Sequence, residues 1–184
     1  MTDWPSGKYG AILADPPWKY YTWSAPGYGT AETYYPTLSN EEIIRLPVVD
    51  LAADDCALFL WVTFPNLPVG LEVLSAWGFS YKTVAFTWVK TNSRSGTPFL
   101  GLGQWTRANA EICLLGIRGH VRRKAKDVRQ VIMSPKREHS RKPDEQYERI
   151  MRLVDGPYIE LFARYPWPGW DGWGLEYPVG EDTR

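Results

Sequence analysis

The apolar residues of this chain come in short, uninterrupted runs, and that pattern constrains the fold more than any other feature. Tyr9-Gly10-Ala11-Ile12-Leu13-Ala14, Ala57-Leu58-Phe59-Leu60-Trp61-Val62 and Tyr158-Ile159-Glu160-Leu161-Phe162-Ala163 show little alternation of polar and apolar residues. A strand that is apolar on both faces is buried on both, the condition of a parallel sheet covered by helices. The stretch from Tyr81 to Val89 and the run Glu111-Ile112-Cys113-Leu114-Leu115-Gly116 also read as strands. Helical signals lie between the runs. Ser39 with Glu42 makes a capping-box pattern that opens a short helix through about Arg45. Leu67, Leu71, Leu74 and Trp77 before Gly78 suit a second helix, and Pro143 beside Asp144 and Glu145 opens a third, to about Val154. Strands alternating with helices predict an α/β fold: a mostly parallel sheet, helices on both faces, and a site at the carboxyl ends of the strands.

A length of 184 residues fits one domain, residues 1–184. Hydrophobic residues at 44% and charged residues at 23% exclude disorder as the general state. No apolar run is long enough to span a bilayer, and the N-terminus lacks the pattern of a signal peptide, so no membrane association and a cytoplasmic location are expected. Cys56 and Cys113 sit inside apolar runs and read as buried, reduced thiols; with two histidines at no ligand spacing, no metal site is read.

Lys+Arg and Asp+Glu balance at 21 each, so whole-chain charge gives no argument for a polyanionic partner. Its distribution does. From Arg118 to Lys142 ten basic residues face only Asp127 and Glu138, which concentrates positive potential in one segment. Arg122, Arg123, Lys124 and Arg137 are therefore candidate phosphate contacts, and the plainer alternative is a solvated loop. Ten Trp and eleven Tyr exceed the needs of a core this small, and flat side chains serve wherever bases are stacked.

Asp15-Pro16-Pro17-Trp18 closes the first strand. Proline removes the next backbone donors, so the strand stops there and a rigid loop begins. Read as chemistry, the motif can hold an adenine amino group. The Asp15 carboxylate and the Pro16 carbonyl accept its two hydrogens, its lone pair turns toward a methyl donor, and Trp18 offers a face for the base. The competing reading is a strand-ending turn and nothing more. A base in a duplex would have to be flipped to reach such a pocket.

With that motif in place the chain resembles the MT-A70 family of adenine N(6)-methyltransferases. The resemblance runs in order through Ala14-Asp15-Pro16-Pro17-Trp18, Tyr35-Pro36-Thr37-Leu38-Ser39, Leu58-Phe59-Leu60-Trp61-Val62-Thr63, Trp77-Gly78-Phe79 and Trp88-Val89-Lys90-Thr91. It continues through Glu111-Ile112-Cys113-Leu114-Leu115-Gly116, His139-Ser140-Arg141-Lys142-Pro143-Asp144-Glu145, Glu160-Leu161-Phe162-Ala163-Arg164 and Gly169-Trp170-Asp171-Gly172-Trp173-Gly174.

What the resemblance implies is a Rossmann-like methyltransferase fold in permuted order, adenine motif first and cofactor elements last, with S-adenosylmethionine as cofactor and an adenine-containing nucleic acid, DNA over RNA, as substrate. It assigns Asp15, Pro16, Pro17 and Trp18 to catalysis. Asp15, Lys142, Phe162, Arg164, Leu175 and Glu176 border the cofactor, and Tyr35 and Glu111 lie near the substrate pocket. Without the resemblance, Lys142 reads as a solvated cation, Phe162 as a core aromatic, and Arg164 with Glu160 as a structural ion pair. Two features depart from the family. Only Met1 to Lys8 precede the first strand, where relatives carry a cofactor-contacting segment, which leaves Asp3 as a substitute; and Tyr165-Pro166-Trp167 stands where relatives often have a His-Asn pair. The partners expected besides nucleic acid are a second copy, as a homodimer, or another methyltransferase subunit, as a heterodimer, and the alternative function is an inactive relative that binds nucleic acid or scaffolds an active partner. A small-molecule amine methyltransferase would leave the basic segment without a role.

Overall fold

The computed structural model describes residues 3–19, 38–101, 103, 105–137 and 141–178. Among them, seven strands form one sheet: β1 (Tyr9–Ala14), β2 (Ala52–Val62), β3 (Ser80–Thr91), β4 (Ala110–Arg118), β5 (Val131–Pro135), β6 (Tyr158–Leu161) and β7 (Trp170–Trp173). Their order in space is β5-β3-β4-β2-β1-β6-β7. Every neighbouring pair is parallel except the two that β4 makes, with β2 and with β3. The mostly parallel sheet is thus as the sequence predicts, with β4 alone reversed. The connection explains the reversal: a parallel partner needs a crossover, whereas β3 returns to β4 through residues 92–109 with no helix among those described.

Among the described residues three α-helices cover the sheet: α1 (Asn40–Ile44), α2 (Leu67–Ala76) and α3 (Glu145–Leu153). Side chains along β1 alternate between its faces. Ile12 and Ala14 pack with Leu58, Leu60, Ile43 of α1 and Val73 and Leu74 of α2, whereas Ala11 and Leu13 pack with Phe59, Trp61 and Tyr147 and Ile150 of α3. Helices therefore lie on both faces, as expected. Ile43, Val73 and Leu74 are almost fully buried, and each such side chain contributes about 1.5–3 kcal/mol by leaving water. Seating α2 so close requires Gly70, where a Cβ would lie 2.5 Å from Val62 Cγ1. The capping box forms as predicted: the Ser39 hydroxyl accepts from the Glu42 amide at 3.2 Å, and the Glu42 carboxylate accepts from the Ser39 amide at 2.7 Å. Cys56 and Cys113 are buried, and burial pushes the Cys56 thiol up to about 12, which keeps it protonated.

Some boundaries differ from the sequence reading. Helix α3 begins at Glu145 rather than at Pro143, because the Asp144 carboxylate binds Arg137 and Arg141 instead of capping the helix. β6 stops at Leu161, where Phe162 turns to φ 64°. β2 starts at Ala52, earlier than its apolar run, through the exposed Asp54 and Asp55. The edge strands β5 and β7 carry no continuous apolar run, so the sequence does not reveal them; Val131 and Met133 of β5 face solvent.

The strand order also places the site. From β1 the chain goes on to β2 on one side, while from β6 it goes on to β7 on the other. The crevice between β1 and β6 is therefore the topological switch point, where open α/β sheets bind ligands. Ala14 pairs with Leu161, so Asp15 and Phe162 emerge side by side at its mouth.

Candidate active site

Asp15 leaves β1 into the grip of Lys142, whose Nζ lies 2.8 Å from Oδ1 and 2.7 Å from Oδ2. The same ammonium is 3.2 Å from Glu111 Oε2, and the other Glu111 oxygen accepts a close hydrogen bond from Lys90 Nζ. Negative and positive groups thus alternate from β1 to the segment before α3, then to β4 and β3. Aromatic rings back both cations, with Trp61 5.7 Å from Lys142 Nζ and Trp88 5.0 Å from Lys90 Nζ. The Lys142 side chain is only 7% exposed, so it is no solvated cation. Burial pushes the Asp15 carboxyl above its usual range, against the pull of Lys142. Burial also opposes ionisation of Glu111, but Lys142 and Lys90 together outweigh it and hold that carboxyl below the usual range. For Lys142 burial is likewise overcome, by Asp15 and Glu111, and its ammonium is held more tightly than in water.

The segment 137–144 is itself braced. Both Arg137 terminal nitrogens bind Asp144, each at 2.8 Å, and one also donates to the Lys142 carbonyl. Arg141 adds a third donor to Asp144 at 3.1 Å. The backbone of Lys142 is thereby fixed while its side chain reaches across the crevice.

Two cavities meet at this point, both bordered by Asp15, Lys142 and Arg164. The first runs along Pro16, Pro17, Trp18, Trp61, Val62, Thr63 and Glu111. The hydroxyl of Thr63 is buried there with no hydrogen-bond partner among the described residues. The second cavity is bordered by Glu160, Tyr147, Phe162, Arg141, Tyr165 and Trp167. Glu160 accepts a hydrogen bond from the Tyr147 hydroxyl at 2.8 Å, and burial pushes its carboxyl up to about 7.

Similarity to known proteins covers the same residues. The MT-A70 family profile matches residues 9–176, which is 168 of the 184 positions and includes every residue of both cavities. The chain belongs to the MT-A70 family. It is 36% identical over 193 aligned positions to the type II methyltransferase M.MunI of Mycoplasma sp, covering 95% of this chain and 80% of that protein. It is 37% identical over 162 positions to the human N(6)-adenosine-methyltransferase catalytic subunit METTL3, and 38% over 161 to a putative N(6)-adenosine-methyltransferase MT-A70-like protein of Medicago truncatula. Each covers 86% of this chain, but the chain spans only about a quarter of those two proteins' length.

Within this MT-A70 fold the residues singled out in the sequence separate into groups. Asp15, Pro16, Pro17, Trp18, Glu111, Lys142, Phe162 and Arg164 are brought together on the two cavities. Trp18 differs from expectation: it is 5% exposed, and its indole donates to the Trp61 carbonyl at 3.0 Å, so it walls the cavity more than it offers an open face. Pro16 already accepts the Trp18 amide at 2.8 Å, which leaves its carbonyl a second lone pair for a ligand. Arg164 faces Glu176 at 4.0 Å rather than Glu160. Leu175 and Glu176 are exposed and border neither cavity; Asp3 is exposed likewise. Tyr35 lies outside the described residues.

Arg122, Arg123 and Lys124 are not brought to the site. β4 runs antiparallel and carries the chain from Ile112, opposite Val62, to Arg118, opposite Cys56, about 20 Å toward the other end of the sheet. There Lys124 pairs with Asp155 at 2.8 Å and donates to the Met151 carbonyl near the C-terminus of α3. Arg137 returns to the site side, where it serves as the brace on Asp144. Sequence reasoning gives no role to Lys90, Tyr147 or Thr63, and gives Glu160 only an ion pair with Arg164. Lys90 is findable only through register: Trp88 pairs with Glu111, which makes Lys90 a diagonal neighbour of Glu111 on the same face.

Proposed function

We propose that this chain transfers a methyl group from S-adenosylmethionine to the exocyclic amino group of adenine in nucleic acid, with DNA favoured over RNA. The observation that carries the reading is Asp15, held at both oxygens by Lys142 where two cavities meet at the switch point of the sheet. One cavity suits the base and the other the cofactor.

The residues of the second cavity suit S-adenosylmethionine. The partly buried carboxyls of Asp15 and Glu160 match its cationic groups, Arg164 and Arg141 match its carboxylate, and Phe162 and Trp167 supply apolar surface. Bound there, the cofactor supplies an electrophilic methyl group. All other steps fall to the protein. The free lone pairs of Asp15 and the Pro16 carbonyl accept the two amino hydrogens, which draws the nitrogen lone pair out of conjugation with the ring and aims it between the cavities. As the nitrogen becomes positively charged, the Asp15 carboxylate stabilises it, and the proton that the methylated amine then sheds passes along that hydrogen bond to the carboxylate and on to solvent. Lys142 keeps that carboxylate in one orientation.

The preference for DNA rests on coverage. The alignment with the relative named a type II methyltransferase covers 95% of this chain, against 86% for those named for adenosine, a ribonucleoside. The test is incubation with methyl-labelled S-adenosylmethionine and adenine-containing DNA or RNA, single-stranded and duplex, followed by mass analysis of nucleosides. N(6)-methyldeoxyadenosine should predominate. A larger yield of N(6)-methyladenosine from RNA would reverse the polymer preference, and methylated adenine in neither polymer would overturn the reading.

A further inference from the structure

Lys90 borders neither cavity, yet it touches the one buried carboxylate that Lys142 shares with Asp15. Glu111 is 7% exposed at the start of β4. It meets Lys90 from β3 and Lys142 from the segment before α3, and it lies within electrostatic reach of Asp15 at the end of β1; Arg164, beyond β6, faces Asp15 in turn. Asp15 and Glu111 are thus matched by Lys142 and Lys90, with Arg164 adding a further cation beside Asp15 and Glu160 a further carboxyl within electrostatic reach of Asp15 and Lys142.

Resting on the proposed methyl transfer, we propose that Lys90 is a positioning residue: through Glu111 it holds Lys142, and through Lys142 it fixes the orientation of the Asp15 carboxylate. Remove the Lys90 ammonium and two carboxylates, Glu111 buried and Asp15 partly buried, compete for Lys142. A desolvated like-charged pair sharing one cation does not stay fully ionised. Either Glu111 takes up a proton and releases its share of Lys142, or Lys142 shifts toward Glu111 and loosens Asp15. Both outcomes misplace the group that aligns the substrate amine.

The sign of the pH effect follows. In the wild type Glu111 is held below the usual carboxylate range by Lys142 and Lys90 against burial, so it stays ionised through neutral pH. Without Lys90 burial has the upper hand, and protonation of Glu111 rises toward neutral pH. The experiment compares wild type, Lys90→Met and Lys90→Arg. Turnover on an adenine-containing oligonucleotide is read across pH, and the Glu111 carboxyl is titrated by NMR of carboxyl-labelled protein. Lys90→Met should lose on the order of 10- to 100-fold in kcat with KM for the oligonucleotide little changed, show an acid limb displaced to higher pH than in the wild type, and show the Glu111 titration moved upward. Lys90→Arg keeps the charge and should restore most of the rate. Wild-type kcat and an unaltered profile in Lys90→Met would overturn the assignment, as would a loss of rate with no movement of the Glu111 titration. Should Lys90→Met fail to fold, Lys90→Gln carries the same comparison. The titration needs no turnover, so failure of the coupling and failure of the proposed reaction are separately visible.

Discussion

Lys124 and Lys142 belong to one basic run in the sequence, but they end in opposite settings. Lys124 pairs with Asp155 at the surface, with side chains 43% and 82% exposed. Lys142 sits between Asp15 and Glu111 with 7% of its side chain exposed. The two ion pairs with aspartate are equally short, 2.8 and 2.7 Å, so distance does not separate them. Solvent does. An exposed pair is screened and its partners return to water when it breaks, whereas a buried pair leaves an uncompensated charge behind. Function follows the second case, because only a desolvated charge is held rigidly enough to align a reacting group.

The sharpest test of that contrast removes each lysine in turn. Lys142→Met strands Asp15 and Glu111 without their shared cation and should destabilise the fold by about 3–5 kcal/mol. For a chain of this size that lowers the melting temperature by roughly 10 °C or more. Lys124→Met should leave the melting temperature at the wild-type value. Thermal unfolding of both variants under one buffer decides the matter, and equal shifts would erase the distinction between the two ends of the sheet.

Next in size is the Asp15 carboxylate. Asp15→Asn keeps the shape and one acceptor but loses the charge that Lys142 holds, and Asp15→Ala loses both. Methyl transfer should drop on the order of 100-fold or more in Asp15→Ala, with circular dichroism unchanged. Substantial turnover in a folded Asp15→Ala protein would move the adenine site elsewhere.

A third test concerns Glu160 in the second cavity, whose carboxyl burial raises from 4.5 to about 7. Between those two values the folded state binds more protons than the unfolded state, so stability falls as pH rises through that window. The charged form costs the fold on the order of 2–3 kcal/mol above it. Glu160→Gln has no proton to lose. Urea unfolding from pH 4.5 to pH 7.5 should therefore show wild type declining relative to Glu160→Gln, and parallel curves would contradict the buried carboxyl.

The same contrast between buried and exposed settings governs what is legible in the sequence. Continuous apolar runs such as Ala57 to Val62 are dictated by burial on both faces, so the central strands and the α/β class can be read directly; so can the α1 cap, a wholly local device. β5 and β7 cannot, because edge strands keep one side in water and lack the run. Asp15 to Trp18 stands out because two prolines after a strand are locally conspicuous. Lys90 does not, because its importance lies in a cross-strand register that residues 92–109 determine. The position of Arg122 to Lys124 at the far end of the sheet is hidden for a related reason: charge is visible in a sequence, but the direction of β4 is not.

The smallest effect expected is an absence, and it bears on how nucleic acid approaches. Read from charge alone, neutralising Arg122, Arg123 and Lys124 together would cut the salt dependence of oligonucleotide binding by up to about 3 in log–log slope, one for each phosphate no longer neutralised. β4 carries the chain about 20 Å from Ile112 to Arg118 before these residues follow, and Lys124 is committed to Asp155 and to the end of α3. A strand whose target adenine enters the first cavity would pass Lys136, exposed after β5, before it reached them. The triple variant should therefore bind short adenine-containing oligonucleotides with wild-type affinity and slope, while Lys136→Ala should lower the slope by up to about 1. Binding measured across a salt series for both variants distinguishes the two ends of the sheet. A drop near 3 in the triple variant, with Lys136→Ala unchanged, would mean that the strand runs down the face toward α3, away from the β5 edge.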